Sequence, residues 1–330
     1  MAEEERRRLC VLIVGGTSPV GRALLAALSD RADIAETAVV SRTHGSVLGA
    51  HRVIRGHFAD LAASDSFRRD LGRFDAVVHL GDGLQALLRR GHGADAESAR
   101  QLIEATRRLA VTVRDRGVGV FVYLSSIRAV AGENDERILT EDVEPHPGGL
   151  YGRTKLRLER TLAEIFEGSA TRCICLRTPV LYGTNSGGNL LRLLRLADTP
   201  YALPFGNISN RRSLLSLRNL ASAIAVVLFG ARGAGDRTQT EIFHIHDGRA
   251  LSTTEIVEVF RAALGRRRRL FPFPSFAVRL LQPTPILGPA VRSLFGSGEL
   301  SDRRFRQTFA WMPCEDSATA LTDMARAYTR

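Results

Sequence analysis

The chain has 330 residues, of which 44% are hydrophobic and 25% are charged, and its formal charge at pH 7 is +11. This length exceeds one ordinary core, so we expect one large domain with a smaller partner. The arginines are spread along the whole chain without interleaved aromatic residues. This distribution argues against a nucleic-acid-binding protein and favours attraction of acidic, phosphorylated ligands.

The cysteines and the apolar runs exclude further classes of protein. The four cysteines are Cys10, Cys173, Cys175 and Cys314. They are too few and too unevenly spaced for a disulfide framework or a zinc site, so no metal is expected. The longest apolar run, near 220–229, is shorter than the ~20 residues of a membrane span. Residues 1–8 are charged, so we expect a cytoplasmic protein without a signal segment.

The densest basic run is 266–269, which precedes the apolar stretch 270–274. We interpret this run as a charged loop. Contact with an anionic membrane surface is the alternative.

A glycine-rich loop follows the first predicted strand. Residues 9–14 have the apolar pattern of a buried strand, and a helix is predicted over 22–28. A tight turn between them presents the amides of a helix N terminus to a pyrophosphate. Ser18 occupies the middle position, where a third glycine is usual. The predicted cofactor-binding residues of this loop are Gly15, Thr17, Ser18, Pro19, Val20 and Gly21.

The second strand, 36–40, ends in Ser41 and Arg42. A carboxylate there would hold the ribose 2′-hydroxyl of NAD, whereas a hydroxyl and a guanidinium suit the 2′-phosphate of NADP. We therefore favour NADP over NAD, with an incidental arginine as the alternative.

Two further strand ends contribute to the predicted cofactor site. A third strand is predicted over 53–61 and ends at the adenine, where Asp60 accepts from the adenine amino group and Leu61 lies beside it. A fourth strand over 74–80 ends in Leu80 and Gly81, and small residues there let the backbone approach a cofactor. Asp82 would repel a pyrophosphate at this place.

A long amphipathic helix over 94–116 and a fifth strand over 118–124 follow. Strands that alternate with helices predict an α/β fold with a parallel, doubly wound sheet. Ligands bind at the carboxyl ends of such strands, where this chain has Ser125 and Ser126. The Ser126 hydroxyl suits a substrate carbonyl or hydroxyl, and simple capping of the strand end is the alternative.

Tyr151 and Lys155 are four residues apart and share one face of a predicted helix. A nearby ammonium favours phenolate and pulls the pKa of a tyrosine from its usual value of about 10 toward neutrality. Such a tyrosine acts as a general acid or base. Lys155 is the only lysine among the 46 basic residues. An exposed helix with an incidental lysine is the alternative.

Taken in order, these motifs resemble an extended short-chain dehydrogenase/reductase of the NAD-dependent epimerase/dehydratase group. The matching segments are the glycine loop 15–21, Ala59-Asp60-Leu61, 77–80, 121–126, Tyr151-Gly152-Arg153-Thr154-Lys155, Leu176-Arg177-Thr178-Pro179 and 212–220. The resemblance implies a Rossmann domain with a smaller, mainly C-terminal α/β substrate domain. It also implies a catalytic site of Ser126, Tyr151 and Lys155.

The resemblance implies further roles. Pro179 would lie near the nicotinamide, and Arg212 would clamp the diphosphate of a nucleotide sugar. Asn189 would contact the substrate, although N-capping of the helix that follows explains an asparagine there equally well. Ser125 is also expected to bind the substrate. Homodimerisation through two helices of each Rossmann domain is expected. His244 and His246, which alternate on one predicted strand, are interpreted as structural residues.

We expect residues 1–180 and 212–250 to form the nucleotide-binding domain, and residues 181–211 and 251–330 to form the substrate-binding domain. The predicted activity is hydride transfer at a carbinol or ketone carbon, C4, of a nucleotide-linked hexose, by a 4-ketoreductase or a 4-epimerase. A reductase of a non-sugar ketone is one alternative, since the C-terminal third is apolar. A non-catalytic dinucleotide-binding sensor is another, favoured by the departures Ser18, Asp82, Leu102 and Ala131 from the family pattern.

Overall fold

The computed structural model describes residues 8–42, 45–61, 63–81, 96–132, 134–184, 188–230, 240–272, 284 and 294–328. The strands are β1 (Leu9–Val14), β2 (Ile34–Ser41), β3 (Arg52–Arg55), β4 (Ala76–His79), β5 (Val120–Ser126), β6 (Asp135–Leu139), β7 (Arg172–Thr178), β8 (Val180–Tyr182), β9 (Leu214–Ser216), β10 (Glu241–His244) and β11 (Gly298–Leu300). The helices are α1 (Pro19–Leu28), α2 (Phe58–Leu61), α3 (Asp65–Leu71), α4 (Ala96–Asp115), α5 (Gly149–Phe166), α6 (Asn189–Ala197), α7 (Leu217–Gly230), α8 (Thr253–Ala263), α9 (Arg303–Phe309) and α10 (Ser317–Tyr328). A 3₁₀ turn, Ile127–Ala129, follows β5.

Seven of these strands form one parallel sheet in the order β10-β7-β5-β4-β1-β2-β3. The chain runs outward from β1 to β3 and then returns to the other side of β1 at β4. This reversal opens a crevice at the carboxyl ends of β1 and β4, which is where ligands bind in such sheets. The predicted doubly wound α/β fold is confirmed.

Both faces of the sheet are covered, which explains why its strands read as apolar runs. On one face, Val11 and Ile13 of β1 pack in a core that includes Leu24 of α1 and Ile224 of α7. On the other face, the alternate β1 residues Leu12 and Val14 belong to a core shared with α4 and α5. Alternate side chains of a strand point to opposite faces, so β1 contributes to both cores.

A separate core lies among α6, α8 and α10, with Leu194, Phe260 and Leu321 fully buried in it. Two short pairs of parallel strands, β6 with β11 and β8 with β9, form separate sheets outside the seven-stranded one. Ser252 caps α8 and forms a capping box with Glu255. A separate core is consistent with a second, smaller domain, and the boundaries expected for that domain remain a prediction.

The third strand is shorter than the sequence suggested. It ends at Arg55, because Gly56 adopts a φ of +146° that breaks the extended run. Asp60 and Leu61 therefore lie on the four-residue helix α2 rather than at a strand end. Among the helices described above, none is long and apolar enough to cross a membrane.

Candidate functional site

The glycine loop and the end of β4 approach each other at the crevice. Leu80 N donates to Val14 O at 2.9 Å, which carries the pairing of β1 and β4 to the sheet edge. Gly15 has a φ of +92°, and a Cβ built on it would lie 2.9 Å from Gly81 N. No side chain fits between these two backbones. The predicted pyrophosphate loop and the end of β4 thus lie side by side at the crevice where doubly wound sheets bind their ligands.

Ser18 explains how the loop does without its usual middle glycine. Its side chain caps α1 and accepts from Gly21 N at 3.1 Å, and Pro19 follows at the first helical position, where no N–H is needed. The Val20 amide is the one in this first turn that the cap does not use. Gly21 must stay without a side chain, because a Cβ there would lie 2.4 Å from Gly16 Cα.

The predicted adenosine end lies where β2 and β3 finish. Ser41 is buried and pairs in register with Arg55, while Arg42 is exposed. Gly56 N donates to Ser41 O at 3.0 Å, and the Leu61 side chain packs over Gly56. This contact places α2, with Asp60 on its exposed side, beside Ser41. Asp82, the predicted repulsive residue, lies outside the described residues.

Lys155 is 4% exposed and lies on the inner face of α5. Its Nζ donates to Leu124 O at 2.8 Å and to Tyr123 Oη at 3.1 Å. The same nitrogen lies 5.8 Å from the centre of the Tyr151 ring, one helical turn earlier. The structure thus brings the predicted proton-transfer pair together at the carboxyl end of β5.

Gly152 explains how Ser126 is held near Tyr151. Ser126 ends β5 and caps the following 3₁₀ turn, with Arg128 N donating to its Oγ at 3.2 Å. The Gly152 backbone packs directly on this turn, and a Cβ built on it would lie 2.2 Å from Arg128 O. Because Gly152 follows Tyr151 in the chain, this contact fixes the tyrosine beside the turn that Ser126 caps.

Ser125 points into a buried ionic network. Its Oγ donates to Glu159 Oε1 at 2.5 Å. The Glu159 carboxylate also accepts from Arg177, at 2.7 Å from Nη2 and 2.9 Å from Nε. Ser125, Glu159 and Arg177 are each 2% exposed. The carboxylate therefore ties α5, which carries Tyr151 and Lys155, to the ends of β5 and β7.

The remaining predicted residues lie on other elements. Pro179 is half-buried and follows Thr178, the register partner of Ser126. Asn189 is exposed and is the first residue of α6, after the Gly188 N-cap. Its neighbours 185–187 are outside the described residues. Arg212 lies ahead of β9, where its Nε donates to Gly296 O at 2.7 Å.

The two histidines have different environments. Burial lowers the pKa of His244 to about 3, with the nearby Arg177 charge contributing. His246 Nε2 lies 3.4 Å from Asp302 Oδ1. Both thus have protein partners, since His244 Nδ1 lies 3.1 Å from Leu139 O. Across the described ranges, no group of three or more His, Cys, Asp or Glu side chains could hold a metal ion.

Sequence reasoning missed Tyr123, Gly152, Glu159 and Arg177 as parts of the site. Glu159 had a signal, because it continues the four-residue spacing of Tyr151 and Lys155 along one face of α5. Tyr123 had none, since a tyrosine within a buried strand reads as core. The ion pair of Glu159 and Arg177 joins residues whose proximity depends on the packed fold.

A parallel doubly wound sheet, a glycine loop at its crevice and a Ser, Tyr and Lys cluster beside it define a dinucleotide-dependent enzyme of the short-chain dehydrogenase/reductase class. The model of the NAD dependent epimerase/dehydratase family matches residues 11–270. The chain belongs to this family.

Individual relatives agree with this assignment. The chain is 27% identical over 336 aligned positions to UDP-glucose 4-epimerase of Vibrio cholerae, covering 96% of this chain and 95% of that protein. Among solved structures, UDP-N-acetylglucosamine 4-epimerase from Bacillus cereus aligns with a TM-score of 0.74 at 18% identity, over 96% of this chain and 98% of that one. MoeE5 in complex with UDP-glucose and NAD aligns with a TM-score of 0.70 at 21% identity, over 97% and 98%. At these identities, the solved structures show a common fold.

The packing of Gly152 predicts an intolerant position. In Gly152→Ala the new methyl group overlaps Arg128 O, so α5 and the turn after Ser126 must separate. We expect the free energy of unfolding in urea to fall by about 3 kcal/mol. Gly132→Ala is the control, because a Cβ there meets nothing within 4 Å. Equal stability of the two variants would contradict the close contact.

The buried ion pair predicts a second stability effect. Glu159→Gln leaves the Arg177 charge without its carboxylate in the interior, and we expect a loss of about 3–5 kcal/mol in unfolding free energy. The double variant Glu159→Leu with Arg177→Met removes both charges and should recover most of that loss. Glu97→Gln, in the exposed pair of Glu97 and Arg100, should change stability by less than about 0.5 kcal/mol. If Glu159→Gln lowered the unfolding free energy no more than Glu97→Gln does, the charges of Glu159 and Arg177 would not contribute to stability as expected.

Proposed function

We propose that this chain is an NAD-dependent 4-epimerase of a nucleotide-linked hexose, with a UDP-hexose as substrate. The observation that carries the proposal is the burial of the Lys155 ammonium beside the Tyr151 ring, on a helix packed against the turn that Ser126 caps. The names of the Vibrio cholerae relative and of the MoeE5 complex support this substrate class and this cofactor.

The chain's own residues supply the proton chemistry. Bound NAD would supply a hydride acceptor and donor at the substrate carbon. Tyr151 takes the proton of the C4 hydroxyl during oxidation and returns a proton to the same oxygen during reduction. The Lys155 ammonium favours the phenolate that oxidation needs, and Ser126 hydrogen-bonds the reacting oxygen. A 4-epimer results when oxidation and reduction occur on opposite faces of the sugar.

The cofactor would be held by the crevice residues. Those assigned to it are Gly15, Thr17, Ser18, Pro19, Val20, Gly21, Ser41, Arg42, Asp60, Leu61, Leu80, Gly81, Tyr151, Lys155 and Pro179. The fit rests on the glycine loop at the crevice, where the backbones of Gly15 and Gly81 lie too close together for a side chain at Gly15. Lys155 would hold the nicotinamide ribose, and the position of its ammonium at the carboxyl end of β5 supports this role.

Substrate contact is assigned to Ser126, Asn189 and Arg212. Arg212 is assigned the diphosphate because a planar guanidinium suits bidentate recognition of that group, and its Nε donates to Gly296 O. Ser125 belongs to this group by its position beside Ser126. Its hydroxyl is bonded to Glu159, so its contribution is to hold the strand end in place.

A second candidate is an NADPH-dependent 4-ketoreductase of the same substrate class. It is favoured by the end of β2, where buried Ser41 and exposed Arg42 stand in place of a carboxylate. A reductase exchanges its cofactor every cycle, whereas an epimerase keeps it through oxidation and reduction. Homodimerisation, on the family resemblance, and a cytoplasmic location also belong to the proposal.

Tyr151→Phe tests the proposed proton transfer. Acid/base help of this kind contributes about 10²- to 10⁴-fold, and we expect turnover of UDP-glucose to UDP-galactose to fall by that amount. Binding of NAD, measured by calorimetry, should stay close to wild type. Tyr201→Phe is the control, because Tyr201 is 73% exposed. A Tyr151→Phe enzyme with the wild-type rate would refute the assignment.

The choice of cofactor is tested at Arg42. If the 2′-phosphate is recognised, the protein binds 2′,5′-ADP more tightly than ADP, and Arg42→Gln weakens 2′,5′-ADP binding about tenfold without affecting ADP. Arg69→Gln, at an exposed arginine of α3, should change neither affinity. Equal affinity of the wild-type protein for the two nucleotides, together with NAD retained through purification, would rule out the reductase.

A further inference from the structure

Lys155 lies between two phenol rings, and the nearer ring is not that of Tyr151. The ammonium is 4.7 Å from the centre of the Tyr123 ring and 5.8 Å from the centre of the Tyr151 ring. It also makes a 3.1 Å hydrogen bond with Tyr123 Oη. Tyr123 is 1% exposed and lies on β5, three residues before Ser126. A buried side chain of the sheet thus contacts the proposed ribose-binding lysine directly.

The direction of this hydrogen bond follows from the chemistry of lysine. A protonated ammonium has three donors and no acceptor, so the Tyr123 oxygen accepts. Leu124 O accepts a second of the three donors at 2.8 Å. Both acceptors are neutral oxygens, so they replace lost water around the ammonium without cancelling its charge. The charge remains able to act on Tyr151.

Burial gives these two acceptors their importance. Desolvation disfavours the charged form of a lysine, and hydrogen bonds to that form favour it. A protonated Lys155 is what the Tyr151 phenolate requires. The Tyr123 hydroxyl therefore offsets the cost of burying the ammonium and also fixes where it points.

We infer that Tyr123 is a positioning residue, whose hydroxyl holds Lys155 protonated and directed toward Tyr151 and the cofactor ribose. The inference rests on the proposed function for its catalytic meaning, but its geometry stands apart from any substrate. Two other titratable residues near Tyr123 and Lys155 have contacts of their own. Glu159 is bonded to Arg177, and His79 of β4 meets Tyr123 edge-on, with 5.6 Å between ring centres.

The surrounding titratable and charged groups come from each strand and helix packed on the pair. Among the residues that the structure describes, they include Tyr151 and Glu159 on α5, His79 on β4, Arg177 on β7 and, beyond Phe58, His57 next to α2. Glu159 and Arg177 largely neutralise each other, since they form a bidentate pair. The variant Tyr123→Phe keeps the aromatic ring and removes only its hydroxyl, so none of these groups is changed.

The single lysine gives a direct measurement. Protein labelled with ¹³C at lysine Cε has one labelled side chain, Lys155, and its shift reports whether the amine is charged. In a titration from about pH 6 to about pH 11, we expect the midpoint in Tyr123→Phe to lie about one pH unit below wild type. Tyr182→Phe is the matched control, because Tyr182 is also fully buried but bonds Asp247 at 2.6 Å.

The outcomes separate this inference from the proposed function. The same midpoint in Tyr123→Phe and wild type overturns the inference, and so does an equal shift in Tyr182→Phe. With UDP-glucose and NAD, the acid limb of kcat should move to higher pH in Tyr123→Phe while KM stays unchanged. If the lysine signal shifts but wild-type protein does not turn over UDP-glucose, the proposed function fails and the role of Tyr123 stands.

Discussion

The site depends on one ammonium group buried at the carboxyl end of a parallel strand. Oxygens of β5 replace water that Lys155 loses on burial, one from the Leu124 carbonyl and one from the Tyr123 hydroxyl. The strand therefore shapes the lysine's environment as much as the helix that carries it. Since ligand-binding residues of a parallel sheet converge at this same edge, the charge lies where we propose that a dinucleotide and its substrate bind.

A second buried cation, Arg177 on the neighbouring strand β7, differs from Lys155 because it is paired with a carboxylate. Arg177 forms a bidentate pair with Glu159, so its charge is neutralised where it lies. The planar guanidinium suits that geometry, and the pair then works as a tie between α5 and the strand ends. Lys155 has a compact ammonium whose bonds to Tyr123 and Leu124 leave its charge intact. In a chain whose other basic residues are all arginine, the one lysine lies beside Tyr151, where the proposed proton transfer needs a positive charge.

The central sheet could be predicted from sequence because its strands are buried on both faces. Residues 9–14 of β1 and 173–176 of β7 form apolar runs in the sequence. The glycine loop and the pair of Tyr151 and Lys155 are recognisable because their residues lie close together in the chain. The end of β3 could not be predicted, since it depends on the positive φ of Gly56. Nor could the pairing of β6 with β11, because Asp135–Leu139 is polar and its partner lies more than 150 residues away.

The same division holds within the site. Residues on one helix face, such as Tyr151, Lys155 and Glu159, follow from periodicity, whereas their partners on β5 and β7 follow only from the packed fold. The departures from the family pattern also acquire a physical account. Ser18 replaces a glycine but caps α1, and Leu102 and Ala131 are buried, so they belong to the cores. Substitutions that serve capping and packing are compatible with catalysis, because the residues to which we assign proton transfer lie at other positions. The sensor reading therefore loses the support of these three positions, and the Ser126, Tyr151 and Lys155 cluster remains the feature that an account of this chain has to explain.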